Sequence, residues 1–357
     1  MRRIELNFKL KKPILACGAD MKGAFALGSG TQVFLYEGFG DLSDPDNLAR
    51  YRKAIIGALK TTRIKPAIIA CDMHPGYFST SYAKDLWKKP TFLVQHHEAH
   101  IASVIIDNEA KGDCVGVAFD GTGYGIDGNI WGGEFFIGSV KGFKRAAHLE
   151  YVPMPGSDAA IRQPWRMVVS YLHAAGDRGK FLKKFNKRNQ APLIIDMIEK
   201  KINAPLTSSA GRLFDAAASL VLRKDTADFE AELPIALEKI ADRNCDESYG
   251  AALPSDSAGI IKRVAADVDR KVDSGIISAR FHNTVSGMIA QTAKRLCRQY
   301  RAKKIVLSGG VFQNKFLSEK TVDMLSGCGF SVYTHKNIST TDSGIPVGQI
   351  AIANARS

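Results

Sequence analysis

An alternation sustained along the whole chain constrains its fold more than any other feature. Short apolar runs occur at "PILACGA", "GTQVFLYEGFG", "PAIIACDM", "CVGVAFDG", "GGEFFIGSV", "KKIVLSGGV" and "FSVYTHK". Between them lie stretches of helical period at residues 46–59, 98–108, 165–174, 213–222, 282–300 and 315–325. The apolar runs read as strands and the periodic stretches as helices. Alternating strands and helices form layered α/β sheets. At 357 residues the chain is long for one compact core and comfortable for two. The expectation is two α/β lobes with a ligand cleft between them. The sequence division falls at 1–150 and 151–357, with the last helix packing back on the first lobe.

Composition excludes several classes. No run reaches the roughly 18 uninterrupted apolar residues of a membrane span, and the N-terminus "MRRIELNFKLKKPILACGAD" has no signal-like apolar stretch. The default expectation is a cytoplasmic protein with no membrane partner. The six cysteines are scattered and form no C-x-x-C pair, which argues against a zinc ribbon or a disulfide framework and for buried free thiols. The net charge of +13 invites a nucleic-acid reading. However, the excess gathers in "RGKFLKKFNKRN" (178–189) without a recognition motif or stacking aromatics. An acidic ligand or partner is the better expectation.

Three strand-ending loops are rich in small residues: "GADMKGAF", "FDGTGYGIDG" and "SGGVFQN". Such loops let backbone amides approach an anion closely, and the helix after "SGGVFQN" offers its N-terminus to a phosphate. None has P-loop spacing. In "VQHHEAHIAS", His96 and His100 are four residues apart, so a helix sets them on one face while His97 points elsewhere. A bare H-x-x-x-H pair is either half of a metal site or ordinary packing. Asp120 ends an apolar run and opens a glycine loop. Asp342 in "STTDSGIPVGQ" is either a ligand or the N-cap of the last helix. Two imidazoles with two carboxylates would suit iron or zinc better than copper(I).

"DMHPGYFSTSYA", "VQHHEAHIAS", "GVAFDGTGYGIDGNIWGGEF", "DAAIRQPWRM", "SSAGRLFDAAASL", "ARFHNTV", "LSGGVFQNKFL" and "DSGIPVGQ" together resemble the C-terminal domain of the HypF carbamoyltransferase family. That domain is of the universal-protein type within the actin-like ATPase superfamily. The resemblance implies two actin-like (RNase H-like) lobes with a nucleotide and metal cleft between them. It implies one iron or zinc ion on His96, His100, Asp120 and Asp342, the first three also catalytic. It further implies an adenine nucleotide (carbamoyl-adenylate, ATP or AMP) held at Gly309, Gly310 and Asn314, with ribose contacts at Asp215 and Glu230. Phosphate contacts are implied at Lys22 and at Gly121 and Gly123. In "FEAELPIALE", Ala231 takes a place where the family tends to have glycine.

The activity implied is transfer of a carbamoyl group from carbamoyl-adenylate to the C-terminal cysteine thiol of HypE, a step in making the cyanide ligand of [NiFe]-hydrogenase. The family's acylphosphatase, zinc-finger and adenylate-forming parts find no counterpart in this sequence: either a separately encoded protein forms the carbamoyl-adenylate, or the sequence is an excised domain, or the chain has another duty. Three alternatives stand beside this: O-carbamoylation of a small molecule, a role in tRNA threonylcarbamoyl transfer, and a non-catalytic nucleotide-binding scaffold. His74 and His97 are candidate proton acceptors or satisfied core histidines.

Overall fold

The computed structural model describes residues 1–86, 91–177, 189–250 and 253–357. The basic stretch at 178–188 therefore lies outside the described residues. Six strands form the first sheet: β1 (Arg2–Glu5), β2 (Ile14–Ala16), β3 (Phe25–Ser29), β4 (Gln32–Tyr36), β5 (Ile68–Asp72) and β6 (Thr91–Val94). Their order is β1-β4-β3-β2-β5-β6. Its helices are α1 (Pro45–Thr62), α2 (Phe78–Leu86) and α3 (His96–Asp107).

The second sheet contains β7 (Cys114–Tyr124), β8 (Ile130–Ser139), β9 (Gly142–His148), β10 (Val152–Pro153), β11 (Leu206–Thr207), β12 (Lys304–Ser308) and β13 (Ser331–Tyr333). It runs β10-β11-β8-β7-β12-β13, with β9 paired to β8. Around it lie α4 (Asp158–Arg162), α5 (Trp165–Ala174), α6 (Ala191–Glu199), α7 (Ala210–Leu222), α8 (Glu232–Lys239), α9 (Ser257–Asp269), α10 (Ser274–Tyr300) and α11 (Lys315–Ser326). The chain closes with α12 (Ile345–Arg356), which returns to pack on the first sheet.

The boundary expected at residue 150 does not coincide with the division between the sheets. β7 pairs in parallel with β12 (Val115 opposite Ile305) and antiparallel with β8, so residues 114–148 belong to the second sheet. The sheets part between Val94 and Cys114, with α3 in the interval.

Side-chain alternation explains how the first lobe is layered. Leu15, Cys17, Ile69 and Cys71 face Tyr51 and Ile55 of α1. The intervening Ile14, Ala16, Ile68 and Ala70 face Ala99 and Ala102 of α3 and Val347 and Ile350 of α12. The other side of α3, through Ile101, Val104 and Ile105, packs on Cys114, Ala118 and Val306 of the second sheet. A helix buried on both sides is apolar nearly all round. The position of α3 between the lobes explains why its histidines sit in the interior. No helix among the described residues is long and apolar enough to cross a membrane, and the six cysteines are free.

Candidate metal centre and nucleotide cleft

Periodicity places the start of α3 at Glu98, but the helix begins two residues earlier. The Gln95 side chain accepts the backbone N–H of His97 at 2.6 Å and of Glu98 at 3.0 Å, an N-cap that makes His96 the first helical residue. His100 follows one turn later. Asp120 comes from β7, where its pairing with β8 slips between Phe119 and Gly123; such bulges re-aim side chains beside functional sites. Asp342 comes from the segment joining β13 to α12. Thr341 is the N-cap there, accepting from the Ser343 N–H, so the Asp342 carboxylate is not used for capping.

These four side chains converge. His96 Nε2 lies 3.3 Å from Asp120 Oδ2 and 3.6 Å from Asp342 Oδ1; His100 Nε2 lies 3.0 Å and 3.5 Å from the same atoms. One ligand atom from each falls within 4.8 Å of all the others. A tetrahedral ion with bonds of about 2.0–2.1 Å keeps its ligand atoms about 3.3 Å apart. The cluster thus has the size of a single-ion cage, and its donors suit zinc or iron. Asp72 Oδ2 meets the far nitrogen of His96, Nδ1, at 2.8 Å, the arrangement that fixes a ligating imidazole's tautomer and orientation. His100 Nδ1 is buried with no partner among the described residues.

Without a cation, the cluster is held by protons. Burial alone would lower the pKa of His96, but Asp342, Asp120 and Asp72 outweigh it and hold the imidazole well above its ordinary value. Burial is likewise overcome at His100, chiefly by Asp120. Burial would raise Asp120 and Asp342, yet the histidines hold Asp120 well below the carboxylate range and bring Asp342 to about 2. His97 behaves differently: burial, aided by its charged neighbours His96 and His100, pushes its pKa well below the usual value.

Asp120 and Asp342 form one end of a cavity of about 280 Å³ between the lobes. Ile161, Phe214, Pro234, Ile235 and Val311 contribute apolar lining, of the kind a nucleobase needs. His96 and His100 stand behind the carboxylates, at most 1% exposed. The open side of the cage therefore faces the cavity.

With this geometry in view, relatives are informative. Residues 9–107 match the family described as the HypF Kae1-like domain, and residues 116–349 match the carbamoyltransferase Kae1-like domain, second subdomain. Carbamoyltransferase HypF2 of Cupriavidus necator is 31% identical over 376 residues, covering 96% of this chain and 46% of the relative. A HypF homolog from the same organism is 31% identical over 359 residues, covering 96% of this chain and 91% of the relative. The chain belongs to the HypF carbamoyltransferase family. Full-length HypF in its phosphate- and nucleotide-bound form superposes with a TM-score of 0.94 at 35% identity, over 99% of this chain and 57% of that one. HypF of T. kodakarensis superposes with a TM-score of 0.90 at 25% identity, over 99% and 48%. The two lobes thus have the actin-like arrangement of HypF, and the chain spans about half the length of HypF2.

The other residues expected to serve this HypF-type cleft are distributed unevenly. Lys22, Gly121, Asp215, Glu230, Gly310 and Asn314 line the cavity. Gly123 does not: it lies against His97, whose Cε1 would stand 2.5 Å from any Cβ there. Gly309 does not line it either. At φ +101° it passes so close to the Phe119 backbone that a Cβ would stand 2.2 Å from the Phe119 carbonyl oxygen. Ala231, at φ +59°, holds the left-handed conformation that glycine would adopt without strain.

The expected phosphate site at the α11 N-terminus is also corrected. Glu238 Oε1 accepts the N–H groups of Lys315 and Phe316 at 2.8 and 3.2 Å, and Asn314 Oδ1 accepts that of Leu317 at 2.8 Å. Carboxylate and amide oxygens already fill that end of the helix. The Asn314 amide is further engaged, its Nδ2 meeting His282 Nε2 at 2.8 Å. The Gly310 N–H donates to Asp120 Oδ1 at 3.0 Å, so the anion served by the "SGG" loop is a carboxylate of the protein itself.

Sequence reasoning missed Asp72, Arg212 and Glu238. Asp72 ends the apolar run "PAIIACD" as Asp120 ends "VGVAFD", and that parallel was the available signal. His74 is stacked on Tyr77 with ring centroids 4.2 Å apart, and its Nδ1 accepts the Gly76 N–H at 3.1 Å.

Proposed function

We propose that this chain transfers a carbamoyl group from carbamoyl-adenylate to a protein thiol, the C-terminal cysteine of HypE, in the cytoplasmic maturation of [NiFe]-hydrogenase. The observation that carries this reading is the cage of two histidines and two aspartates, whose carboxylates line a cavity of about 280 Å³, in a member of a family of carbamoyltransferases. A cation on His96, His100, Asp120 and Asp342 would supply Lewis acidity at the open side of the cage. Asp72 holds His96 in the tautomer that presents Nε2 inward. The apolar lining would take the adenine and Glu230 and Asp215 the ribose, with Lys22, paired to Glu230, on the phosphate side of the rim.

In the reaction, the thiol sulfur bonds to the carbamoyl carbon and the bond from that carbon to the phosphate oxygen breaks. AMP leaves with the electron pair, and the thiol gives up its proton. A free thiol is only a few per cent ionised at neutral pH, so a cationic site that stabilises negative charge beside the donor addresses the main barrier.

The test is to offer metal-loaded protein preformed carbamoyl-adenylate together with HypE or a peptide ending in its cysteine. Mass spectrometry should find the thiocarbamate, and His100→Ala should lose metal and transfer together. Transfer to a small hydroxyl compound instead would move the chain to O-carbamoylation. Stimulation of an adenylate-forming partner without any transfer would make it a scaffold.

A further inference from the structure

The cavity contains a cation that no sequence motif singled out. Among the described residues that line it, the basic side chains are Lys22 and Arg212. Lys22 lies at the rim, its side chain 43% exposed, and its Nζ is paired with Glu230 at 2.6 Å. Arg212 lies inside, with its side chain only 6% exposed. Its Nε donates to Asp215 Oδ2 at 2.7 Å. Its two terminal nitrogens have no hydrogen-bond acceptor among the described residues. A guanidinium anchored through Nε alone has the rest of its donor fork available, and that planar fork matches phosphate oxygens.

The local packing places this fork near the cage. Arg212 lies in the first turn of α7, whose N-cap is Ser209. The Ser209 hydroxyl accepts the Arg212 N–H at 3.1 Å and itself donates to the Gly121 carbonyl. A Cβ on Gly211 would stand 3.0 Å from the Gly121 Cα. The first turn of α7 is thus seated against the loop that begins at the ligand Asp120. With the α11 N-terminus filled by Glu238, Arg212 is, among the described residues that line the cavity, the one buried cationic group with unmatched donors.

The geometry points to Arg212 as the receptor for a phosphoryl oxyanion in this cavity, with Asp215 aiming the guanidinium. This role rests on reading the cavity as a nucleotide site. It assigns the phosphate of the bound nucleotide to α7 rather than to α11.

The test titrates AMP and adenosine into the full chain by calorimetry, comparing wild type with Arg212→Gln and Arg212→Lys. Losing a charge-assisted contact weakens AMP by about tenfold to a hundredfold, with adenosine changed by less than about threefold. Arg212→Lys keeps a positive charge beside Asp215, and with it the fold, yet lacks the fork, so AMP alone should weaken there too. Equal losses for AMP and adenosine would mean that Arg212 only holds Asp215 in place, and would overturn the role. Unchanged AMP affinity, or a wild type that binds both ligands alike, would overturn it as well. Inorganic phosphate titrated into the adenosine-saturated chain identifies the source. An Arg212-dependent signal means the site also takes the free anion; no signal, with AMP still dependent on Arg212, ties it to the nucleotide's own phosphate. Failure of thiol transfer in a chain that passes this test would remove only the transfer reading. Transfer by a chain that binds AMP and adenosine alike would remove only the role of Arg212.

Discussion

A carboxylate on the far nitrogen of a ligating histidine raises the basicity of the near one, and removing such a partner typically costs about 10–100-fold in metal affinity. Asp72 holds this position for His96, while His100 has no equivalent among the described residues. Asp72→Asn should therefore weaken metal binding by about that factor, measured by competition with a chromophoric chelator. Unchanged affinity would show that His96 needs no support. In the second lobe, against Asn314, His282 is buried and burial lowers its pKa to about 4. The unfolded side chain titrates near 6.5, so between these values the native state binds fewer protons than the unfolded chain. Stability contributed here is present above about pH 6.5 and lost as pH falls toward 4, to the extent of about 3 kcal/mol. His282→Gln should flatten the acid limb of a denaturant-midpoint profile, and an equally steep limb would refute the assignment.

At the scale of elements, both ends of α3 meet the segment that carries Asp342. Twelve residues make the helix about 18 Å long. His96 and His100 stand at its N-terminal end, and Asp107 closes the other. A carboxylate opposes the helix dipole at a C-terminus, and the side chain of Asp107 is only 2% exposed. Its place is explained by what it accepts. Asp107 Oδ2 takes the N–H groups of Lys336, Asn337 and Ile338 at 2.6, 2.9 and 3.1 Å. Asn108 adds a bond to the Thr334 carbonyl at 2.7 Å. This segment runs on to Asp342, with Thr340 tied to the Gly309 carbonyl at 3.1 Å on the way. Asp342 is thus held in register by the helix that carries His96 and His100. Asp107→Asn leaves fewer acceptor lone pairs facing these donors, and the expected result is roughly tenfold weaker metal binding with a faster off-rate. Chelator-driven release followed by stopped flow checks this; a wild-type off-rate would make Asp107 a local brace only.

On the scale of the molecule, the cage joins the lobes: α3 and the first sheet supply the histidines, the second sheet supplies Asp120, and the return to α12 supplies Asp342. An ion bound only by the folded chain stabilises it by about 2.7 kcal/mol at a hundred times its dissociation constant. Chelation should therefore lower the melting temperature by several degrees, and re-addition of zinc should restore it. Because His96 and His100 titrate above the ordinary imidazole value in the metal-free state, both must release protons to bind. Affinity should then rise with pH through that range and fall on acidification. Metal binding that is independent of pH would place the ion elsewhere.

The sequence alone determined what depends on neighbours in the chain. Alternation revealed the α/β layers, because burial on one or both faces of a strand or helix imprints its period locally. The four-residue spacing put His96 and His100 on one face. The family resemblance carried Asp120 and Asp342, which no local pattern links to them. Tertiary structure decided what depends on competition between groups far apart. It placed the division between the sheets before β7, because strand pairing with β12 outweighs chain order. It gave the α11 N-terminus to Glu238, 77 residues before Lys315 in the chain, and left Arg212 as a buried cation whose terminal nitrogens have no acceptor among the described residues. Local sequence can offer a helix end or a glycine loop to an anion, but only the folded packing decides which anion arrives first.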